Sequence, residues 1–177
     1  MAEYRARDLL LVPSLLSMAR VPLAAFFPFT LSVPAFAFGV LVLAALTDVL
    51  DGWYARTRGQ ATPTGAVADA VTDKVFVATV VVSLVLFQKM TALQALLLGT
   101  REMGELPLVV RLALSPAARQ KHRDRRANVP GKIATVLQFV AVTTVLFGAP
   151  HPEIYLGAAA GAGVLAAVTY WMREGAG

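Results

Sequence analysis

The sequence has no cysteine and only two histidines, His122 and His151, in 177 residues. Without thiols there is no disulfide framework, no thiolate nucleophile, no thiolate zinc site and no iron–sulfur cluster, and two isolated imidazoles do not make a histidine metal site. Any metal bound here is held by oxygen. Charge is scarce as well: Asp, Glu, Lys and Arg are 15% of residues against about 25% in soluble domains, while apolar residues reach 57%. A water-exposed globule of that composition would lack polar surface to cover itself, which excludes an ordinary soluble single-core enzyme. The net charge of +5 comes from 16 Lys and Arg that lie mostly between apolar runs. They lack the aromatic interleaving of a nucleic-acid surface, so no nucleic-acid partner is expected. Strand-type alternation is missing too, which argues against a transmembrane barrel.

What the sequence does have is long apolar runs. A helix needs about 20 such residues to cross a hydrocarbon core of roughly 30 Å. Runs of this kind fall at 11–30, 34–56, 66–88, 91–114, 131–149 and 153–172. They predict an all-α integral membrane protein of six transmembrane helices around a cytoplasm-facing polar cavity, forming a single domain over 1–177. Residues 3–10 could form a short interfacial helix leading in. Lys and Arg concentrate in cytoplasmic loops. Arg5, Arg7, Arg56, Arg58, the basic 4–5 loop with Arg119 and Lys132, and Arg173 all fall on one side of this topology, and Lys89 falls on the other. That asymmetry assigns both termini to the cytoplasmic side of the cell's inner membrane.

Four carboxylates sit where carboxylates are expensive. An uncompensated charge in a bilayer costs at least ~2.5–3.5 kcal/mol. Even so, Asp48 and Asp51 end the second run and Asp69 and Asp73 open the third. Asp48, Asp51, Gly52 and Ala55 share one helical stripe at i, i+3, i+4, i+7, and Gly65, Asp69 and Asp73 share another at i, i+4, i+8. The second run descends to the cytoplasm and the third returns from it, so the two stripes can face each other. Arg56 and Lys74 can neutralise only part of such a basket. Hard divalent cations with oxygen ligands complete the neutralisation, which suits two Mg²⁺ or Mn²⁺ ions rather than zinc. Paired ions of this kind serve in-line displacement at phosphorus. A single intramembrane Asp is often only an interhelical hydrogen bonder, but four on two facing stripes are expected to be functional.

These residues resemble the CDP-alcohol phosphotransferases (CDP-alcohol phosphatidyltransferases), membrane enzymes that build phospholipid head groups. The family pattern D-x2-D-G-x2-A-R-x8-G-x3-D-x3-D is met by Asp48, Asp51, Gly52, Ala55, Arg56, Gly65, Asp69 and Asp73, all in register over 26 positions. The resemblance implies that Asp48, Asp51 and Asp69 are metal ligands and that Asp73 is both a ligand and the general base for the acceptor hydroxyl. Gly52, Ala55, Arg56 and Gly65 would line the site for the cytidine diphosphate of the donor. The implied reaction moves a phosphatidyl group from CDP-diacylglycerol to an alcohol acceptor and releases CMP. The resemblance also implies a homodimer, with membrane lipids as surroundings.

The acceptor is less marked. A phosphorylated acceptor such as glycerol-3-phosphate needs extra cations beside an acidic basket. Arg20, Arg101, Arg111 and Lys132 are the candidates. Arg101-Glu102 and the stretch from Gly131 to Gln138 look like the corresponding parts of phosphatidylglycerophosphate synthases. The plainer readings are an ion pair of Arg101 with Glu102 or Glu105 and a snorkelling Lys132. Phosphatidylglycerol, giving cardiolipin, and inositol phosphate stay open as acceptors. Among other functions, an intramembrane prenyltransferase would use Asn-Asp motifs that this chain lacks. A divalent-cation transporter would need acids reachable from both faces.

Overall fold

A computed structural model describes residues 6–60, 62–104 and 129–175. These residues are helical and include no strand. They fall into two compact units, Met1–Lys89 and Met90–Gly177.

In the first unit a short 3-10 helix, Ala6–Leu10, leads into α1 (Val12–Met18) and α2 (Arg20–Thr30). The 3-10 helix falls within the stretch expected to be interfacial, of which residues 3–5 lie outside the described residues. The expected first span is thus split at Ala19. Pro22 offers no N–H to the Met18 carbonyl and its ring crowds it, so the ladder breaks there. α3 (Pro34–Thr57) and α4 (Pro63–Leu86) both begin with proline, which is preorganised for a first turn and loses no hydrogen bond there. Thr62 caps α4 by accepting from the Gly65 N–H at 3.1 Å. α1 and α2 each pack on both α3 and α4, which brings the start of α2 against the acidic ends of the two long helices.

α3 stops at a glycine. Gly59 takes φ +63°, a left-handed value that residues with a Cβ adopt only at a cost. The Gln60 N–H then bonds back to the Ala55 carbonyl at 2.9 Å, the long hydrogen bond of a Schellman cap. This closure folds Gln60 back over the last turn of α3.

The second unit holds α5 (Ala92–Leu98), helical residues 100–104, α6 (Val129–Leu146) and α7 (Pro152–Gly175). Thr91 and Gln94 form a reciprocal capping box at the start of α5. α7 packs on α6 and on α5. Small residues set the distance: Ala134, Ala141, Ala159 and Ala166 are fully or almost fully buried. A Cβ on Gly104 would lie 2.5 Å from the Ala167 Cβ, and one on Gly163 would lie 3.0 Å from the Arg101 backbone nitrogen. Nothing stands within 4 Å of the corresponding position on Gly157. Gly104→Ala is therefore expected to cost about 1–3 kcal/mol through overpacking. Gly157→Ala should instead gain up to ~1 kcal/mol from helix propensity. Thermal unfolding in detergent reads both, and equal midpoints for the two variants would remove close packing as the reason for Gly104.

Large apolar side chains point outward in both units, among them Phe29, Leu86 and Met172. In water that exterior would be a liability, and in a bilayer it is the solvent-matched face. Val12–Thr30, Pro34–Thr57 and Pro152–Thr169 are long and apolar enough to cross a membrane, and Pro130–Leu146 is a shorter apolar helix. The basic 4–5 loop and the end of the expected 91–114 span lie outside the described residues.

Candidate active site

The acidic ends of α3 and α4 meet. One oxygen each from Asp48, Asp51 and Asp69 lies within 4.8 Å of the others. The two sequence stripes therefore do face each other, with Asp51 buried and Asp48 and Asp69 more open. Asp73 lies one turn beyond Asp69 on the same face of α4 and is not part of this tight group.

The counter-charge is Arg20, at the first turn of α2. Its side chain is 1% exposed, and a single nitrogen, Nη2, lies 2.5 Å from Asp51 Oδ2, 3.0 Å from Asp69 Oδ1 and 3.1 Å from Asp48 Oδ1. Its Nη1 is 4.0 Å from Asp73 Oδ1, beyond hydrogen-bond reach. A cation at a helix N-terminus opposes the helix dipole, so Arg20 depends on these acids as much as they depend on it. Ser17 donates its hydroxyl hydrogen to Asp51 Oδ2 at 2.7 Å; the Pro13 carbonyl at 3.1 Å is the poorer acceptor. Sequence reasoning placed Arg20 among the acceptor candidates and looked to Arg56 and Lys74 for neutralisation. The readable signal was the spacing of Ser14, Ser17 and Arg20, three polar residues on one face of an apolar run.

Beside the acids is a pocket of about 210 Å³, all within the first unit. Asp51, Gly52, Ala55 and Arg56 line it from α3, Gly65, Ala66 and Asp69 from α4, Pro13, Ser14 and Ser17 from α1, and Gln60 and Thr62 from the connecting loop. All four residues expected to hold the nucleotide thus share one cavity with two of the acids. A Cβ on Gly52 would come 3.2 Å from Arg56 Nη1, and one on Gly65 would come 3.1 Å from Ser14 Oγ. The glycines let Arg56 lie over the helix and keep α1 close to α4. Three buried polar atoms have no hydrogen-bond partner among the described residues: Arg20 Nε, Arg20 Nη1 and Gln60 Oε1.

In the second unit Arg101 Nη1 donates to Thr135 Oγ1 at 2.6 Å and to Gln138 Oε1 at 3.3 Å. Gln138 Nε2 in turn donates to Glu102 Oε2 at 2.8 Å and to the Leu98 carbonyl at 2.9 Å. Gln138 thus links Arg101 to Glu102. Lys132 is exposed near the start of α6. Arg111 lies outside the described residues, as does Glu105.

Three carboxylates converging from two helices, with no nitrogen or sulfur donor among them, form an oxygen-only group that can hold a hard divalent metal. They do so on the aspartates of the motif, and a family model described as CDP-alcohol phosphatidyltransferase matches residues 10–172. The chain belongs to that family. A protein of Mycobacterium tuberculosis named probable phosphatidylglycerophosphate synthase is 32% identical over 110 residues, covering 60% of this chain and 47% of the relative. A CDP-diacylglycerol–glycerol-3-phosphate 3-phosphatidyltransferase of Pseudomonas fluorescens is 42% identical over 80 residues, covering 42% of this chain and 40% of the relative. A cardiolipin synthase (CMP-forming) of Rattus norvegicus is 40% identical over 76 residues, covering 41% of this chain and 25% of the relative. The chain therefore spans less than half the length of each of these three relatives. Members of the CDP-alcohol phosphatidyltransferase family use CDP-alcohol and lipid substrates, and the acid group, the pocket and the apolar exterior found here are chemically suited to such substrates.

Proposed function

We propose that this chain transfers a phosphatidyl group from CDP-diacylglycerol to an alcohol and releases CMP. The observation that carries the reading is the convergence of Asp48, Asp51 and Asp69 beside a pocket that also contains Gly52, Ala55, Arg56 and Gly65. In this reading Asp48, Asp51, Asp69 and Asp73 hold two Mg²⁺ or Mn²⁺ ions. When bound, the ions neutralise the pyrophosphate and stabilise CMP as the leaving group.

The protein's own part is positioning and proton transfer. Gly52, Ala55, Arg56 and Gly65 receive the cytidine diphosphate. Asp73 takes the proton from the acceptor hydroxyl. The acceptor oxygen then forms a bond to the lipid-bearing phosphorus while the bond from that phosphorus to the CMP oxygen breaks.

The acceptor we favour is glycerol-3-phosphate, supported by the relatives whose names carry that substrate. Arg101, held by Thr135 and Gln138, is the residue we propose for the acceptor phosphate. The cardiolipin synthase relative favours phosphatidylglycerol as a second acceptor. We place the site in a six-span bundle that opens to the cytoplasm, with both termini on that side and the whole chain acting as one domain, and we assign it a homodimeric state. The length of α4, 24 residues, supports its reading as a span despite its acids.

Purified protein in detergent, given CDP-diacylglycerol, Mg²⁺ or Mn²⁺ and a panel of glycerol-3-phosphate, phosphatidylglycerol and inositol phosphate, is expected to release CMP with glycerol-3-phosphate. Chelation should stop the reaction. No CMP with any acceptor would overturn the function, and CMP with a different acceptor would overturn the acceptor alone.

A further inference from the structure

The pocket has an acidic end and a far end, and the far end contains a polar atom that no described residue satisfies. From Asp51 the lining follows one face of α3 through Gly52, Ala55 and Arg56. Asp51 and Ala55 are about 6 Å apart along the axis, at roughly 1.5 Å per residue. The Schellman cap at Gly59 then ties the Gln60 backbone to the Ala55 carbonyl, so Gln60 closes the pocket at the end away from the acids. Its side-chain carbonyl oxygen, Oε1, is buried without a partner among the described residues. Buried acceptors are nearly always paired in folded proteins, and one beside a cavity is placed to accept from a bound ligand or water.

We infer that Gln60 reads the base of the donor nucleotide, its Oε1 accepting a hydrogen bond from the exocyclic amine of cytosine. This rests on the pocket being the site of the cytidine diphosphate. The order of groups fits: pyrophosphate against the acids of α3 and α4, sugar along Ala55 and Arg56, base against Gln60. A nucleoside is a run of these parts in the same order. The cavity is smaller than the roughly 300–1,000 Å³ of sites that enclose drug-sized ligands, which suits a nucleobase and sugar with the lipid left outside. Cytosine offers an amine hydrogen at the position where uracil offers a carbonyl oxygen, so an amide held with Oε1 toward that position discriminates between the two bases. Gln60 also carries an amide hydrogen that can meet the cytosine ring nitrogen next to the amine. The Gln60 backbone is fixed by the helix cap at Gly59, which is what a specificity contact needs.

The test is the ratio of CMP to UMP affinity, measured by calorimetry on detergent-purified protein with Mg²⁺ present. Wild type should prefer CMP. Gln60→Leu should weaken CMP about tenfold, leave UMP nearly unchanged and bring the ratio close to one. Gln60→Glu retains an acceptor and should keep the CMP preference. UMP affinity serves as the folding control for each variant. The assignment is overturned if Gln60→Leu keeps the wild-type ratio, or if it weakens both nucleotides equally. Absence of CMP binding by the wild type would instead overturn the reading of the pocket as the donor site.

Discussion

Asp73→Asn is expected to lower the rate of CMP release by about 10²–10⁴-fold, the usual worth of a positioned general base. Asp73 is suited to that task by where it stands. The other three acids of the motif converge on Arg20 Nη2, whereas Asp73 comes no nearer to the guanidinium than 4.0 Å. Its side chain is 46% exposed, against 6% for Asp51, so an acceptor hydroxyl can reach it. It is also one turn from Asp69 on the same face of α4. Asparagine keeps the shape and loses the ability to take a proton. The loss should appear in kcat and persist at saturating Mg²⁺, which separates a lost base from a weakened metal ligand. Normal turnover in Asp73→Asn would move the base to another residue while leaving the family assignment intact.

The acids could be read from the sequence because their cost in a bilayer singles them out and their spacing obeys the helical period. Asp48 and Asp51 at i, i+3 and Asp69 and Asp73 at i, i+4 each had to share a face, and a short connection between two long runs had to bring those faces together. Two helix starts differ from the apolar runs for a local reason: Pro63 and Pro152 stand at first turns, where a missing N–H costs nothing, ahead of runs that begin at 66 and 153. What was not legible depends on tertiary placement. Arg20 reads as one basic residue in an apolar run, and only the break at Ala19 and the packing of α1 and α2 against both long helices carry it into the acids. Arg101 reads as the partner of a neighbouring Glu at helical spacing, and its bonds to Thr135 and Gln138, more than 30 residues away, carry no local signal. Gln60 carries no periodic signal at all. The reading offered for it starts from a buried oxygen that lacks a donor among the described residues, and sequence patterns do not encode an absence of that kind.

Arg20→Met should destabilise the protein by about 3–5 kcal/mol, the effect of removing one partner from a buried ionic group. The size follows from what is left behind. Asp48, Asp51 and Asp69 would keep oxygens within 4.8 Å of one another with no cation between them. Ser17 would still donate to Asp51, but one hydroxyl cannot offset three clustered charges. Lysine in place of Arg20 should recover only part of the loss, since its more strongly hydrated ammonium costs more to bury than a guanidinium. Thermal unfolding in detergent without divalent ions gives the ranking, with wild type highest, Arg20→Lys between and Arg20→Met lowest. Removing a charge from the other side should compensate: Asp48→Asn is expected to raise the midpoint of the Arg20→Met background and to lower that of the wild type. Such a sign reversal is the mark of a direct coupling rather than of general damage. Mn²⁺ should then raise the midpoint of Arg20→Met more than that of the wild type, because a divalent ion binding only the folded form takes over the neutralisation that the guanidinium supplied. If Arg20→Met unfolds at the wild-type temperature, the acids are not held together by Arg20, and the order of charges in this site must be drawn again from Arg56 and Lys74 outward.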